Sequence, residues 1–321
     1  MSILKPVEEQ QKSGLKTLFF GATGTGKTLA GLTFPKIASI DTEDGQVFYM
    51  KHKEYGKNLV SRGVTNSVKE VEEVLDELEE NIDMFQTLLI DSETKLYENL
   101  QHVMLDIAED RARANRRSAD AEGLSVKEWG KIKQVTKRIQ NLKIMLASKG
   151  INVVSIAQES DVKEKKGESF VVVGHKPDVA KGIEFDYDII VRFITVEEYG
   201  KGGVKEIKYK GEVIKDRTQT YQKGDVIDSP SFENWKSAWE LGQSGKDMNL
   251  NLNNFEQKDA EMFAEQDEID KVVSEIKKLA QTSKSAQTAL VALAKEGKIP
   301  KDMAFSDIDE ARDVLKTLKG E

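Results

Sequence analysis

The sequence contains no cysteine and only three histidines in 321 residues. The first absence excludes disulfides, thiolate metal sites, iron–sulfur clusters and cysteine nucleophiles. The second leaves little scope for a histidine metal centre. A chain without thiols fits a reducing compartment. No apolar run approaches the ~18 residues that a membrane span needs. Met1–Ser13 is polar and lacks the apolar stretch of a secretion signal, so a soluble, cytoplasmic protein is expected. A basic balance is also missing. Lys and Arg number 48 against 56 Asp and Glu, a net charge of −8. As a single figure, that argues against a nucleic-acid partner.

The charge is not spread evenly. Residues 111–149 hold 11 Lys or Arg against 3 Asp or Glu. Trp129 lies in that stretch, able either to stack on a base or to join a core with Ile132 and Val135. Residues 246–321 hold 12 basic against 16 acidic residues. An acidic tail suits a protein partner or an architectural role better than a direct grip on DNA. Much of the remaining negative charge lies on the outer face of a helical pattern at Ser67–Ile82. An acidic total therefore restricts where nucleic acid binds rather than excluding it.

Hydrophobic residues make up 38% of the chain, enough for a true core. Its length suggests about two domains. Short apolar strands are expected at Leu15–Phe20, Ile37–Asp41, Thr87–Asp91, Ile151–Ala157 and Asp188–Ile194, with another at Val204–Ile214. Helical periods separate them, at Lys27–Phe34, Thr94–Arg117 and Ser125–Lys149 among others. Strands alternating with helices predict an α/β fold, a mostly parallel sheet flanked by helices. The pattern stops near Gly242. Residues 242–268 are polar and read as a flexible linker. A helical period resumes at 269–321. The expected organisation is thus a core at 1–241, a linker at 242–268 and a small C-terminal α-helical module.

Gly21-Ala22-Thr23-Gly24-Thr25-Gly26-Lys27-Thr28 matches G-x-x-x-x-G-K-[ST], between a strand and a helix. Glycines let successive N–H groups converge on phosphate oxygens, and the helix start adds its positive dipole end. Lys27 is expected on the β- and γ-phosphates and Thr28 on Mg²⁺. Asp91, ending the strand Thr87–Asp91, is the expected second Mg²⁺ residue. No Asn-Lys-x-Asp guanine motif is present. Arg111–Arg117 imitates the arginine-rich lid of a small-molecule kinase but lies on a helical pattern.

Other motifs follow in order. Ile40-Asp41-Thr42-Glu43-Asp44-Gly45 places acids at a strand end, where a general base orients water. Gln158 ends the strand Ile151–Gln158. A polar stretch, Glu159–Gly182, carries Lys163, Lys165, Lys166, Phe170 and Lys176 and reads as a long loop, functional or disordered. Lys215-Asp216-Arg217 puts two cations on one side of a strand.

This order of motifs resembles the RecA-like ATPase core over about residues 12–241. It looks most like the compact RecA-like ATP-binding proteins of bacteriophages that act in single-strand annealing and recombination. The resemblance implies ATP and Mg²⁺ as ligands, Glu43 as the water-activating carboxylate, and Gln158 as the coupler of γ-phosphate to the loop after it. That loop would contact single-stranded DNA. Lys215 and Arg217 would reach the nucleotide of a neighbouring subunit, which implies a homo-oligomer, ring or filament, with ATP at its interfaces. Phage origin would place the protein in a bacterial cytoplasm. Arg113, Arg116 and Arg117 are further candidate DNA contacts, and the C-terminal module a candidate protein-binding element. The family pattern is often Asp-Thr-Glu-Gly; here Asp44 precedes the glycine. Two rivals share the motifs: a helicase or helicase-loader ATPase, and a nucleotide-switched protein-binding module with little turnover.

Overall fold

A strand covered on both faces reads as a continuous apolar run, and such runs build the centre of this protein. The computed structural model describes residues 12–115, 123–167, 169–199, 205–245, 252–300, 303, 305 and 307–320, with the backbone alone at 252–266. The strands are β1 (Lys16–Gly21), β2 (Ile37–Asp41), β3 (Leu59–Val64), β4 (Thr87–Asp91), β5 (Asn152–Lys166), β6 (Ser169–Pro177), β7 (Ile189–Tyr199), β8 (Lys205–Asp216) and β9 (Val226–Asp228). They form a sheet in the order β3-β2-β4-β5-β1-β7-β8-β9, with β6 paired to β5. Neighbours from β3 to β7 run parallel. The β7–β8, β8–β9 and β5–β6 pairs are antiparallel.

Side-chain alternation divides the core between the two faces. Leu89, Val154, Ile156, Phe19 and Phe193 join Trp235 and Phe232 on one side. Leu88, Ile90 and Val153 face helices α2 (Val68–Glu80) and α4 (Val126–Ser148) on the other. Ser67 caps α2 by accepting from the Glu70 N–H, and Val71, Leu75 and Leu78 are its buried stripe. Helix α3 (Glu93–Ala114) starts directly after β4, capped by Ser92. This is the mixed α/β, mostly parallel architecture that the alternating pattern predicts.

Some local expectations are corrected. Helix α1 spans only Lys27–Gly31, not Lys27–Phe34. Thr33 Oγ1 donates to the Ala30 carbonyl at 2.6 Å, a side-chain bond that competes with helix continuation. Strand β3 has no apolar signature because it is an edge strand, half exposed. Glu159–Gly182 is not an irregular loop. Strand β5 continues through it and turns at Gly167 into β6, forming a hairpin. Its residues are solvated, so apolar periodicity is absent, and the Val171–Val173 run is the remaining strand signal.

The chain divides into two compact units, 1–250 and 251–321. The second contains α6 (Leu252–Thr282), α7 (Lys284–Lys295) and α8 (Ile308–Lys319), after α5 (Lys236–Gln243) in the first. Ile276, Ala286, Leu293, Ala311 and Val314 centre its own core. The backbone of 252–268, expected as flexible linker, lies within α6. Ala, Glu, Gln and Lys favour helix without needing apolar bulk, which explains the difference. No helix among the described residues is long and apolar enough to cross a membrane.

Candidate active site

In an open parallel sheet, ligands bind beyond the carboxyl ends of the strands. Here β1 lies between β5 and β7, while the chain leaving β1 crosses two strands to reach β2. The segment Gly21–Thr28 therefore opens at a topological switch. A Cβ at Gly21 would sit 2.3 Å from the Phe193 carbonyl oxygen of the adjacent strand. Gly26 has φ 92, a conformation that glycine adopts at no steric cost. Thr25 Oγ1 donates to the Ala22 carbonyl at 2.8 Å and braces the loop.

A cleft of about 580 Å³ follows the loop. All eight loop residues, Gly21, Ala22, Thr23, Gly24, Thr25, Gly26, Lys27 and Thr28, line it, with Glu43, Asp91 and Gln158. The fold thus brings together residues far apart in sequence. Lys27 Nζ donates to the carbonyls of Gly21 at 2.9 Å and Ala22 at 2.7 Å. Burial pushes its pKa below the usual ammonium range, opposed by the charges of Asp91, Glu159 and Glu43. A partly desolvated cation held by two neutral carbonyls is well placed to exchange them for phosphate oxygens.

Thr28 Oγ1 donates to Asp91 Oδ2 at 2.8 Å. Burial pushes the Asp91 carboxyl up to about 6, against hydrogen bonds from Thr28 and Gln46. A nearby cation would reverse that rise. The donors are a hydroxyl and a carboxylate, both hard oxygens suited to Mg²⁺. Gln46 Oε1 is buried without a partner among the described residues and could accept from a water of the ion's shell. No group of three or more His, Cys, Asp or Glu among the described residues could hold a metal. When bound, Mg²⁺ would neutralise charge on the phosphate oxygens.

The acidic turn after β2 sorts into distinct roles. Asp41 is 1% exposed, so it is not a solvated turn acid. It accepts from the backbone N–H groups of Glu43, Gly45 and Gln46, and Arg62 Nε donates to it at 2.9 Å. Arg62 also bonds Asp44, which adopts the left-handed conformation. Asp44 therefore absorbs the extra residue before Gly45. Glu43 is left facing the cleft, where Ser92 Oγ donates to its Oε1 at 3.0 Å.

Sequence reasoning missed Arg62, Gln46, Ser92, Tyr49 and Tyr209. Ser92 carried a signal, a cap residue directly after the strand acid. Tyr209 had none: only the β7–β8 pairing brings it over the loop, where its ring lies 3.5 Å from a Cβ built on Gly26.

The AAA domain family matches residues 13–225. The chain belongs to the AAA domain family. No curated protein matches it. Residues 13–225 are thus a P-loop ATPase domain, a class that implies nucleotide binding, and the cleft just described holds its glycine-rich loop. Magnesium is the usual companion of the nucleotide in such domains.

The remaining candidates lie outside the cleft of this AAA domain. The side chains of Lys215 and Arg217 both reach the Phe185 carbonyl, at 3.1 Å each. Lys215 pairs with Ile190 and Phe193 pairs with Gly21, so the two cations sit near the opposite ends of the parallel strands from the phosphate loop. Burial, then the neighbouring Arg217 charge, lowers the Lys215 pKa. Lys163, Lys165, Lys166, Phe170 and Lys176 lie on the β5–β6 hairpin. Lys165 is paired across to Phe170, which is 69% exposed. Arg113 is ion-paired to Glu109 and Asp110 on its own helix. Arg116 and Arg117 lie outside the described residues.

Proposed function

We propose that this AAA domain protein is an ATP-dependent, single-stranded-DNA-binding ATPase that supports phage-type homologous recombination by annealing or strand exchange. One observation carries the reading. Strand β5, whose Gln158 lines the nucleotide cleft, continues unbroken into the hairpin bearing Lys163, Lys165 and Lys166. A change at the γ-phosphate has a direct mechanical route to an exposed basic element with an aromatic residue, the composition that grips single strands.

In this reading Lys27 stabilises charge on the β- and γ-phosphates, while Thr28 and Asp91 hold Mg²⁺. Glu43, oriented by Ser92, takes the proton of the attacking water. Gln158 senses the γ-phosphate. Lys215 and Arg217 lie too far along the sheet to serve their own cleft, so they act on the nucleotide of a second copy, as arginine fingers do. The active form is accordingly a homo-oligomer, ring or filament, with ATP between subunits. The C-terminal helical unit engages a protein partner.

ATP turnover with and without single-stranded DNA tests the reading, with Lys27→Ala as the blank. Stimulation by DNA that vanishes in Lys27→Ala is expected. Turnover indifferent to DNA overturns it.

A further inference from the structure

Helix α4 carries a second feature that the ATPase reading does not use. Its cations divide by side. Arg138 Nε bonds Glu72 at 2.5 Å, and Lys149 bonds Glu79, both on or beside the acidic face of α2. Lys143 is buried against Glu93. These account for much of the local excess charge. Lys133 and Lys137 point elsewhere, into a groove of about 850 Å³ between α4, Tyr97 and the segment 180–186. Lys181 adds a third ammonium from the opposite wall. None of the three has an ion-pair partner among the described residues. Asp186 is the single carboxylate among the described lining residues.

Trp129 stands at the start of this face and is 43% exposed, so the indole is not a core residue. Trp129, Lys133, Lys137 and Gln140 follow one another at helical spacing, a stripe roughly 16 Å long at 1.5 Å per residue. Gln140 is 4% exposed, and its Oε1 has no hydrogen-bond partner among the described residues. The groove therefore combines an aromatic face with three unpaired ammonium groups.

We infer that this groove is a binding site for single-stranded nucleic acid, separate from the hairpin. The ammonium groups complement backbone phosphates, and the indole offers a stacking surface. A duplex keeps its base faces stacked on each other, so an accessible indole selects unpaired bases. The inference shares its ligand class with the function proposed above and rests on that reading to this extent.

The test is titration of the full chain with an oligothymidylate, read by tryptophan fluorescence and by anisotropy of a labelled strand. Trp235 is fully buried and Trp239 packs against the core, so Trp129 is the responsive indole among the three. Expected are quenching that disappears in Trp129→Phe and an affinity loss of about tenfold in Trp129→Ala. Replacing Lys133, Lys137 and Lys181 by Gln should reduce the slope of log affinity against log salt by about two. Retained ATP binding shows that each variant folds. Unchanged affinity and salt slope in the Trp129→Ala and triple-lysine variants, with binding lost on replacing Lys163, Lys165 and Lys166 by Gln, overturns the groove and leaves the hairpin reading standing. Absence of any binding by the unaltered protein overturns both.

Discussion

The backbone N–H of Gln158 donates to Thr94 Oγ1 at 3.0 Å, and the same hydroxyl donates to the Asp178 carbonyl at 2.7 Å. Gln158 and Asp178 stand on either side of the hairpin root, joined also by a 2.8 Å backbone bond. Two residues before Thr94, Ser92 holds Glu43. The first turn of α3 thus fastens both the catalytic candidate and the base of the hairpin.

Thr94→Val keeps the side-chain shape but removes the acceptor of the part-buried Gln158 N–H, at a cost of about 0.5–1.5 kcal/mol. The expected outcome is a lower Tm with basal ATP turnover retained and its response to DNA weakened. Thr94→Ser keeps the hydroxyl and should restore that response. Melting curves and turnover with and without DNA check both.

Glu43→Gln removes the proposed base while preserving size. A fall in kcat of roughly 10²–10⁴ with little change in KM for ATP is expected. Ser92→Ala should give a smaller fall in kcat, since the carboxylate remains but loses its orienting donor. Steady-state kinetics separates the two, and full turnover in Glu43→Gln would remove the assignment.

Asp91 supplies a pH dependence whose sign follows from its raised pKa. Its carboxyl titrates at about 6 in the folded chain, against 3.8 for an ordinary aspartate. The folded state therefore holds this proton more tightly than the unfolded one. Below both values the group contributes nothing to the difference. As pH rises from about 4 through 6 it increasingly destabilises the nucleotide-free fold, by up to about 3 kcal/mol. Asp91→Asn should accordingly raise the Tm of the ligand-free protein at pH 8 and change it little at pH 4, while abolishing ATP turnover. Calorimetry across that range, without nucleotide or Mg²⁺, is the measurement.

Lys143 and Glu93 form a buried pair at 2.5 Å, with Ser155 and Tyr187 completing the network. Lys143→Met alone strands a buried carboxylate and should cost about 3–5 kcal/mol. Lys143→Met combined with Glu93→Gln should recover most of that loss. Chemical denaturation of both variants shows whether the recovery occurs.

The central strands were legible because burial on both faces leaves an apolar run, as in Thr87–Ile90 before Asp91. The phosphate loop was legible because its backbone conformation demands glycine at fixed spacing. The hairpin strands and β3 were not, since a solvated strand has no apolar side to mark it. The contributions of Arg62 and Tyr209 arise from strand pairing across long sequence separations, which no local pattern encodes. Local charge misled in its own way. The basic stretch at 111–149 looked like one surface, yet Lys143 is spent inside the core, and Arg138 and Lys149 are bound to the acidic residues of 72–79.

Strand β5 is shared by the central sheet and the hairpin, and this makes the hairpin a lever rather than a flap. From Glu159 to Lys166 it projects eight residues, roughly 26 Å at about 3.3 Å per residue. Its fulcrum is the Gln158–Thr94–Asp178 clasp. A tilt of about 10° there would carry the tip roughly 4–5 Å on an arm of that length. A displacement of well under an ångström at Gln158 would thus be magnified before it reached the distal lysines.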